Sequence, residues 1–395
     1  MAAHTDVKKF LPGFPSPDGR IREARGTFRH EDRMSGAAQA PAAGARPASR
    51  DTAIDLLKIM AIFGVLVIHA FAPFFDGGRN PAPEVWWLCY AVQSCIRFCV
   101  PVFVMCSGAM LLSGTKDMLP LAFYKKRLPK LLLPLLVWSV VYYVYKIGPE
   151  HLFSHASLED FLAQLLTAKI IGNFWFLYML LGVYLSAPFL QILLHATTRS
   201  QQWLFVGLSL GLPGFVLLWQ PLLALRFGVE YSIFSSYVGY FVLGHLLQTA
   251  EPAQRKGRLL LFSLYLAMVL LTFFCQWSVQ QRSSAYQFIF LEYTMLNIAV
   301  MSAAVFMLLR SVPLPGSPKW RNRIATVGKA TYGIYLVHIL AVFYLRLGIF
   351  GVPIVSTDFP PFLGVLIVAV GGFVLSLAMV LLLAKIPLLR KTVGY

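Results

Sequence analysis

Lys58 and His69 stand eleven positions apart in the apolar run Ile54-Asp-Leu-Leu-Lys-Ile-Met-Ala-Ile-Phe-Gly-Val-Leu-Val-Ile-His-Ala-Phe-Ala-Pro-Phe74. At about 100° per residue, eleven steps close nearly three turns, so on a helix both side chains project from one face about 16 Å apart along the axis. That separation is about half the thickness of a bilayer's hydrocarbon core. Asp55 joins the stripe as the i, i+3 neighbour of Lys58. Imidazole titrates near neutrality and can take the proton of a hydroxyl, which makes His69 a candidate general base. Asp55 and Lys58 admit two readings, an interfacial ion pair with Lys58 snorkelling outward, or the inner part of a polar path that leads to His69.

Further along the chain, Arg97 precedes Pro101 inside an apolar segment, where an unpaired cation is costly enough to suggest a functional or ion-pair role. Glu292, in Phe288-Ile-Phe-Leu-Glu292-Tyr293, is placed to pair with Arg97 or to bind an acceptor, and the ion pair is the simpler reading. His338 has Tyr335 as its i, i+3 neighbour, the spacing of a satisfied hydrogen bond. Trp175 and Tyr178 fit either an acceptor groove or an ordinary aromatic belt. The five cysteines, Cys89, Cys95, Cys99, Cys106 and Cys275, all fall in apolar runs with no metal-ligand spacing, so they are expected to pack as small apolar groups and no metal is expected.

The elements that position these residues follow from composition. Of 395 residues, 58% are hydrophobic and 13% charged, with a mean hydropathy of +0.68, which describes a polytopic membrane protein. The net charge of +17 lies in short clusters between apolar runs, where membrane orientation explains it and nucleic-acid binding does not. Ten candidate spans lie near 54–74, 86–112, 131–147, 170–190, 203–220, 232–248, 258–280, 285–309, 324–348 and 362–386, and Pro101 is expected to kink the second. The expected fold is an all-α bundle of about ten transmembrane helices. Residues 1–50, rich in Ala, Gly, Pro and Arg and lacking an apolar stretch long enough for a signal-peptide core, read as a disordered cytoplasmic tail ahead of a transmembrane domain over 51–395.

Alternate loops carry the positive charge: Lys116, Lys125, Lys126, Arg127 and Lys130 in one, Arg255, Lys256 and Arg258 in another, then Arg310, Lys319, Arg321 and Arg323, and finally Arg390 and Lys391. The intervening loops are poor in Lys and Arg, with Arg79 in one and Arg226 in another. The positive-inside rule then puts both termini in the cytoplasm, which an even number of spans also requires. Lys58 falls near the cytoplasmic surface and His69 in the outer half.

At this point the chain resembles the membrane acyltransferase 3 family. Lys58, ten residues and His69 match the family's Arg/Lys-x10-His pattern, and Val100-Pro-Val-Phe-Val-Met-Cys-Ser-Gly108 is similar to its second-helix segment ending in Ser-Gly. Phe123-Tyr-Lys-Lys-Arg127-Leu-Pro-Lys130 resembles its Arg-x-x-Arg loop, with lysine in the last place. Asn173-Phe-Trp175-Phe-Leu-Tyr178 with Tyr184-Leu-Ser-Ala-Pro188, and Thr331-Tyr-Gly-Ile-Tyr335-Leu-Val-His338, look like two further family segments. The whole is most similar to the short members without an extracytoplasmic domain, the enterobacterial common antigen O-acetyltransferase type among them.

The resemblance implies an enzyme of a bacterial inner membrane that transfers an acyl group, usually acetyl, from cytoplasmic acyl-coenzyme A to a hydroxyl of a cell-surface glycan or its lipid-linked precursor. His69 would be the catalytic base. Arg127 and Lys130, with Lys126, would hold the anionic coenzyme, although topology alone also accounts for Lys125 and Lys126. Lysine keeps the charge of the second arginine but loses its planar bidentate fork. Lys58 would help hold the coenzyme, and Asp55, Lys58, Arg97, Trp175, Tyr178, Glu292 and His338 are the candidate lining of the path to the acceptor, Arg97 and Glu292 on their charge and position in apolar segments and not on a family segment. A different class fits the same stripe: a transporter or flippase exporting an acyl group or polysaccharide without making a bond.

Overall fold

A computed structural model describes residues 51–75, 81–113, 120–148, 155–223, 233–282, 287–348 and 351–395. The tail expected over 1–50, and Arg79, Lys116 and Arg226, lie outside the described residues. From Arg50 onward the chain forms one compact unit.

Asp51 starts the first helix, α1 (Thr52–Ala70). Its carboxylate accepts from the backbone N–H of Ala53 at 2.9 Å and of Ile54 at 3.4 Å, satisfying donors that a helix N-terminus otherwise leaves orphaned. A short α2 (Ala72–Phe75) extends it to a 24-residue apolar span. The second span is broken into α3 (Pro83–Ile96) and α4 (Cys99–Leu111), with the break at Arg97 and Phe98. Pro101 explains its position, because a prolyl nitrogen cannot donate to the Arg97 carbonyl four residues earlier.

The remaining helices are α5 (Pro120–Arg127), α6 (Pro129–Ile147), α7 (His155–Leu166), α8 (Trp175–Ala196), α9 (Arg199–Leu223), α10 (Ile233–Thr249), α11 (Arg255–Gln280), α12 (Leu296–Ser311), α13 (Pro318–Leu347), α14 (Pro361–Lys385) and the short α15 (Pro387–Arg390). Among the described residues, nine helical segments are long and apolar enough to cross a membrane. The segment read from sequence as a span over 232–248 is α10, 17 residues long and enclosed by its neighbours along most of its length. This is an all-helical, multi-pass membrane protein. Its outward faces are apolar, as on α11, where Leu259, Leu260, Phe262, Leu270 and Phe274 are exposed, the surface that lipid rather than water requires.

The bundle is centred on α1, which packs against α4, α12, α13 and α14. Close packing relies on small residues where helices cross. A Cβ at Gly108 would collide with the backbone carbonyl of Phe241, and one at Gly244 with that of Met105, so α4 and α10 meet backbone to backbone. This places Ser107 and Phe103, on α4, against the interior of the bundle.

Candidate active site

At the Lys58 end of α1, a cavity of about 300 Å³ collects Lys58, Arg127, Lys130 and Lys329 around the polar groups of Ser107, Tyr184, Thr331, Tyr332 and Tyr335. Four helices deliver the four cations: α1, the end of α5, the start of α6 and the first half of α13. Leu128 between α5 and α6 keeps helical dihedrals, so Arg127 and Lys130, an i, i+3 pair, fall on one face and both reach the cavity. Lys58 is held by Asp55 at 3.0 Å, and Asp55 is 2% exposed. Gly328 makes that burial possible, since a Cβ there would lie 2.6 Å from the Asp55 carboxylate. The Arg127 Nε is buried without a hydrogen-bond partner, an arrangement that suits an anionic ligand far better than an empty apolar wall.

At the other end of α1, a cavity of about 500 Å³ is lined by His69, Gln93, Arg97, Asn173, Trp175, Glu292 and Tyr293. Arg97 is 8% exposed and sits where Pro101 has broken the helix. Its Nε donates to the Leu291 carbonyl, its Nη1 donates to Gln93 Oε1 at 2.9 Å, and its guanidinium lies 4.2 Å from the centre of the Tyr293 ring. The expected ion pair with Glu292 does not form: Glu292 is exposed at the cavity mouth, and among the described residues no carboxylate pairs with Arg97. A neutral carbonyl, an amide and a π-face take the carboxylate's place. Trp175 presents its indole to the same cavity, stacked on Tyr293 at 6.1 Å and 25°.

Between the two cavities stand Phe176 and Tyr335, which line both. Their rings are 5.1 Å apart. The Tyr335 hydroxyl donates to the Asn173 carbonyl, and its own backbone carbonyl lies 2.5 Å from His338 Nδ1. A carbonyl can only accept, so Nδ1 carries the proton and Nε2 keeps its lone pair. That Nε2 is buried without a hydrogen-bond partner, and the His338 ring stands 5.1 Å from the His69 ring.

Of the residues singled out in the sequence, the structure gathers Lys58, Arg127 and Lys130 at one cavity and His69, Arg97, Trp175 and Glu292 at the other, with His338 behind His69 and Asp55 behind Lys58. Two stand apart. Lys126 is exposed and does not line the cationic cavity, because one helical step turns it away from the face that Arg127 presents. Tyr178 donates to the Leu165 carbonyl at 2.5 Å, tying α8 to the end of α7, and lines neither cavity. Lys329, Ser107, Tyr184, Phe176 and Asn173 were not singled out as site residues. Lys329 had one signal, a lysine two residues before Thr331 at the head of a recurrent segment. Ser107, Asn173, Phe176 and Tyr184 stand inside the segments that resemble the family, but a small polar or aromatic residue in an apolar helix by itself reads as packing.

A family model described as an acyltransferase domain matches residues 51–381, which takes in every helix from α1 through most of α14. No curated protein and no solved structure matches the chain.

Proposed function

Because this chain belongs to the acyltransferase 3 family, we propose that it is an O-acyltransferase that moves an acyl group, acetyl in the first instance, from acyl-coenzyme A to a hydroxyl of a cell-surface glycan or its lipid-linked precursor. What supports the reading most is the pair of cavities at opposite ends of α1, one cationic and one holding an imidazole among aromatic and polar groups, with the side chains of Phe176 and Tyr335 lining both. In this reading the Lys58 end faces the cytoplasm of a bacterial inner membrane, an orientation that the positive charge of the loops supports.

In this reading Lys58, Arg127, Lys130 and Lys329 hold the phosphates of the donor, with the unpartnered Arg127 Nε making the directional contact. Trp175 supplies a flat apolar platform for a sugar face, while Glu292 and Arg97 offer an acceptor and a donor to its hydroxyls. His69 takes the proton of the reacting hydroxyl as that oxygen attacks the acyl carbonyl. The carbon–sulfur bond breaks, and the thiol leaves with a proton while the ester stays on the acceptor. The membrane excludes bulk water from the path, which limits hydrolysis of the thioester.

The deciding experiment uses purified protein in detergent with acetyl-coenzyme A and a lipid-linked glycan extract. Free coenzyme A should accumulate in step with acetylated acceptor. An exporter would release none, and that result would overturn the reading.

A further inference from the structure

About 16 Å of helix separates Lys58 from His69, so a donor gripped by its phosphates at one cavity must extend its acyl end to the other. Coenzyme A carries its thiol on a long unbranched arm, and the route available to it runs where the cavities touch. Among the described residues, only Phe176 and Tyr335 belong to both linings. We propose that Phe176 is a gate: its ring swings aside to let the acyl-bearing arm pass into the His69 cavity, and its size sets the cross-section of the acyl group that follows. The inference rests on the acyl-transfer reading above.

The two residues of the wall are held unequally. Tyr335 is pinned at both ends, its hydroxyl on the Asn173 carbonyl and its backbone carbonyl on His338 Nδ1. Moving it would disturb the His69–His338 pair. Phe176 carries no polar group to anchor it; its ring is buried in the apolar core and packs against the rings of Tyr335 at 5.1 Å, Phe103 at 6.2 Å and Trp175 at 6.2 Å. Edge and tilted contacts of this kind are worth only about 0.5–1.5 kcal/mol each beyond burial, so a rotamer change at Phe176 is the cheaper way to open the wall. Phe103 lines the cationic cavity alone, and so flanks the entrance to the gate rather than closing it. A closed ring between turnovers also separates the thioester from water on the acceptor side.

The test uses inside-out membrane vesicles containing the full chain, labelled acetyl- and isobutyryl-coenzyme A, and the vesicles' own glycan lipids as acceptors. Phe176→Trp should lower acetyl transfer about 100-fold, the scale of loss that misplacing a reacting group produces, while unacylated coenzyme A binds the purified variant as it binds wild type in calorimetry. Phe176→Ala should raise the ratio of isobutyryl to acetyl transfer at least about tenfold, with more acyl-coenzyme A hydrolysed per acyl group delivered. Wild-type transfer and wild-type selectivity in both variants would overturn the gate and leave acyl transfer standing. Loss of coenzyme A binding in both variants would also overturn it, by placing Phe176 in the donor's binding surface. If wild-type vesicles bind coenzyme A and transfer nothing, the acyl-transfer reading fails and the gate with it.

Discussion

The imidazole rings of His69 and His338 stand 5.1 Å apart at an interplanar angle of 46°, one on α1 and the other on α13. His338 is completely buried, and its Nδ1 is committed to the Tyr335 carbonyl. Its Nε2 therefore offers a lone pair beside His69 and has no other partner. A base works only when the nitrogen facing the substrate is the unprotonated one. A fixed acceptor behind it would hold the ring proton on the far side once the two rings close to hydrogen-bond distance.

His338→Ala should lower kcat for acyl transfer about 100-fold with the KM for acyl-coenzyme A unchanged, because the proposed function has the donor's phosphates held at the other end of the helix. His338→Gln, which restores an acceptor oxygen near the Nε2 position, should recover part of the loss. Steady-state kinetics on the three proteins checks both expectations, and a merely structural role would give no recovery.

His69→Ala should abolish acceptor acetylation, a loss of about 10²- to 10⁴-fold if base catalysis is its contribution, with expression and membrane insertion intact. Mass spectrometry of surface glycans from cells carrying the variant reads the outcome, and full residual transfer would remove His69 from the chemistry.

Arg127→Ala and Lys130→Ala should each raise the KM for acyl-coenzyme A by about 10- to 100-fold, since a hydrogen bond to a charged group contributes about 1.5–3 kcal/mol. Lys126→Ala should leave it near wild type, because that ammonium, unlike the one at Lys130, lies outside the cavity lining. Titration of coenzyme A into the three variants separates the pair from its neighbour.

Gly328→Ala should weaken the protein although it adds only a methyl group. The new carbon would lie 2.6 Å from the Asp55 carboxylate, which must shift and loosen its 3.0 Å pair with Lys58. A loss of about 1–3 kcal/mol is expected from overpacking of this kind, visible as a lower melting temperature in detergent, together with weaker coenzyme A binding.

Much of the architecture was legible because a bilayer imposes one rule: backbone polar groups must be satisfied within the span, so long apolar runs become helices. Nine of the ten runs read from hydropathy correspond, among the described residues, to helical segments long and apolar enough to span a membrane, the tenth is the shorter α10, and the kink at Arg97 follows from one proline. The stripe of Asp55, Lys58 and His69 was legible too, since helical period is a property of local sequence. Arg97 and Glu292 were expected to pair because opposite charges in apolar segments usually do. The fold satisfied Arg97 instead with the Leu291 carbonyl, Gln93 and Tyr293, partners whose proximity depends on how α3, α4 and the segment before α12 meet.

The sequence by itself determined a multi-pass helical protein with a cation and an imidazole on one face of its first helix, because hydrophobic length and a 3.6-residue period act within a single segment. Only the tertiary structure decided that these two residues serve different cavities, that Lys329 joins Lys58 while Lys126 stays outside, and that Phe176 and Tyr335 form the wall between. Those facts arise where α1, α4, α8 and α13 cross, and each depends on side chains from helices more than a hundred residues apart in the chain, which no local pattern records.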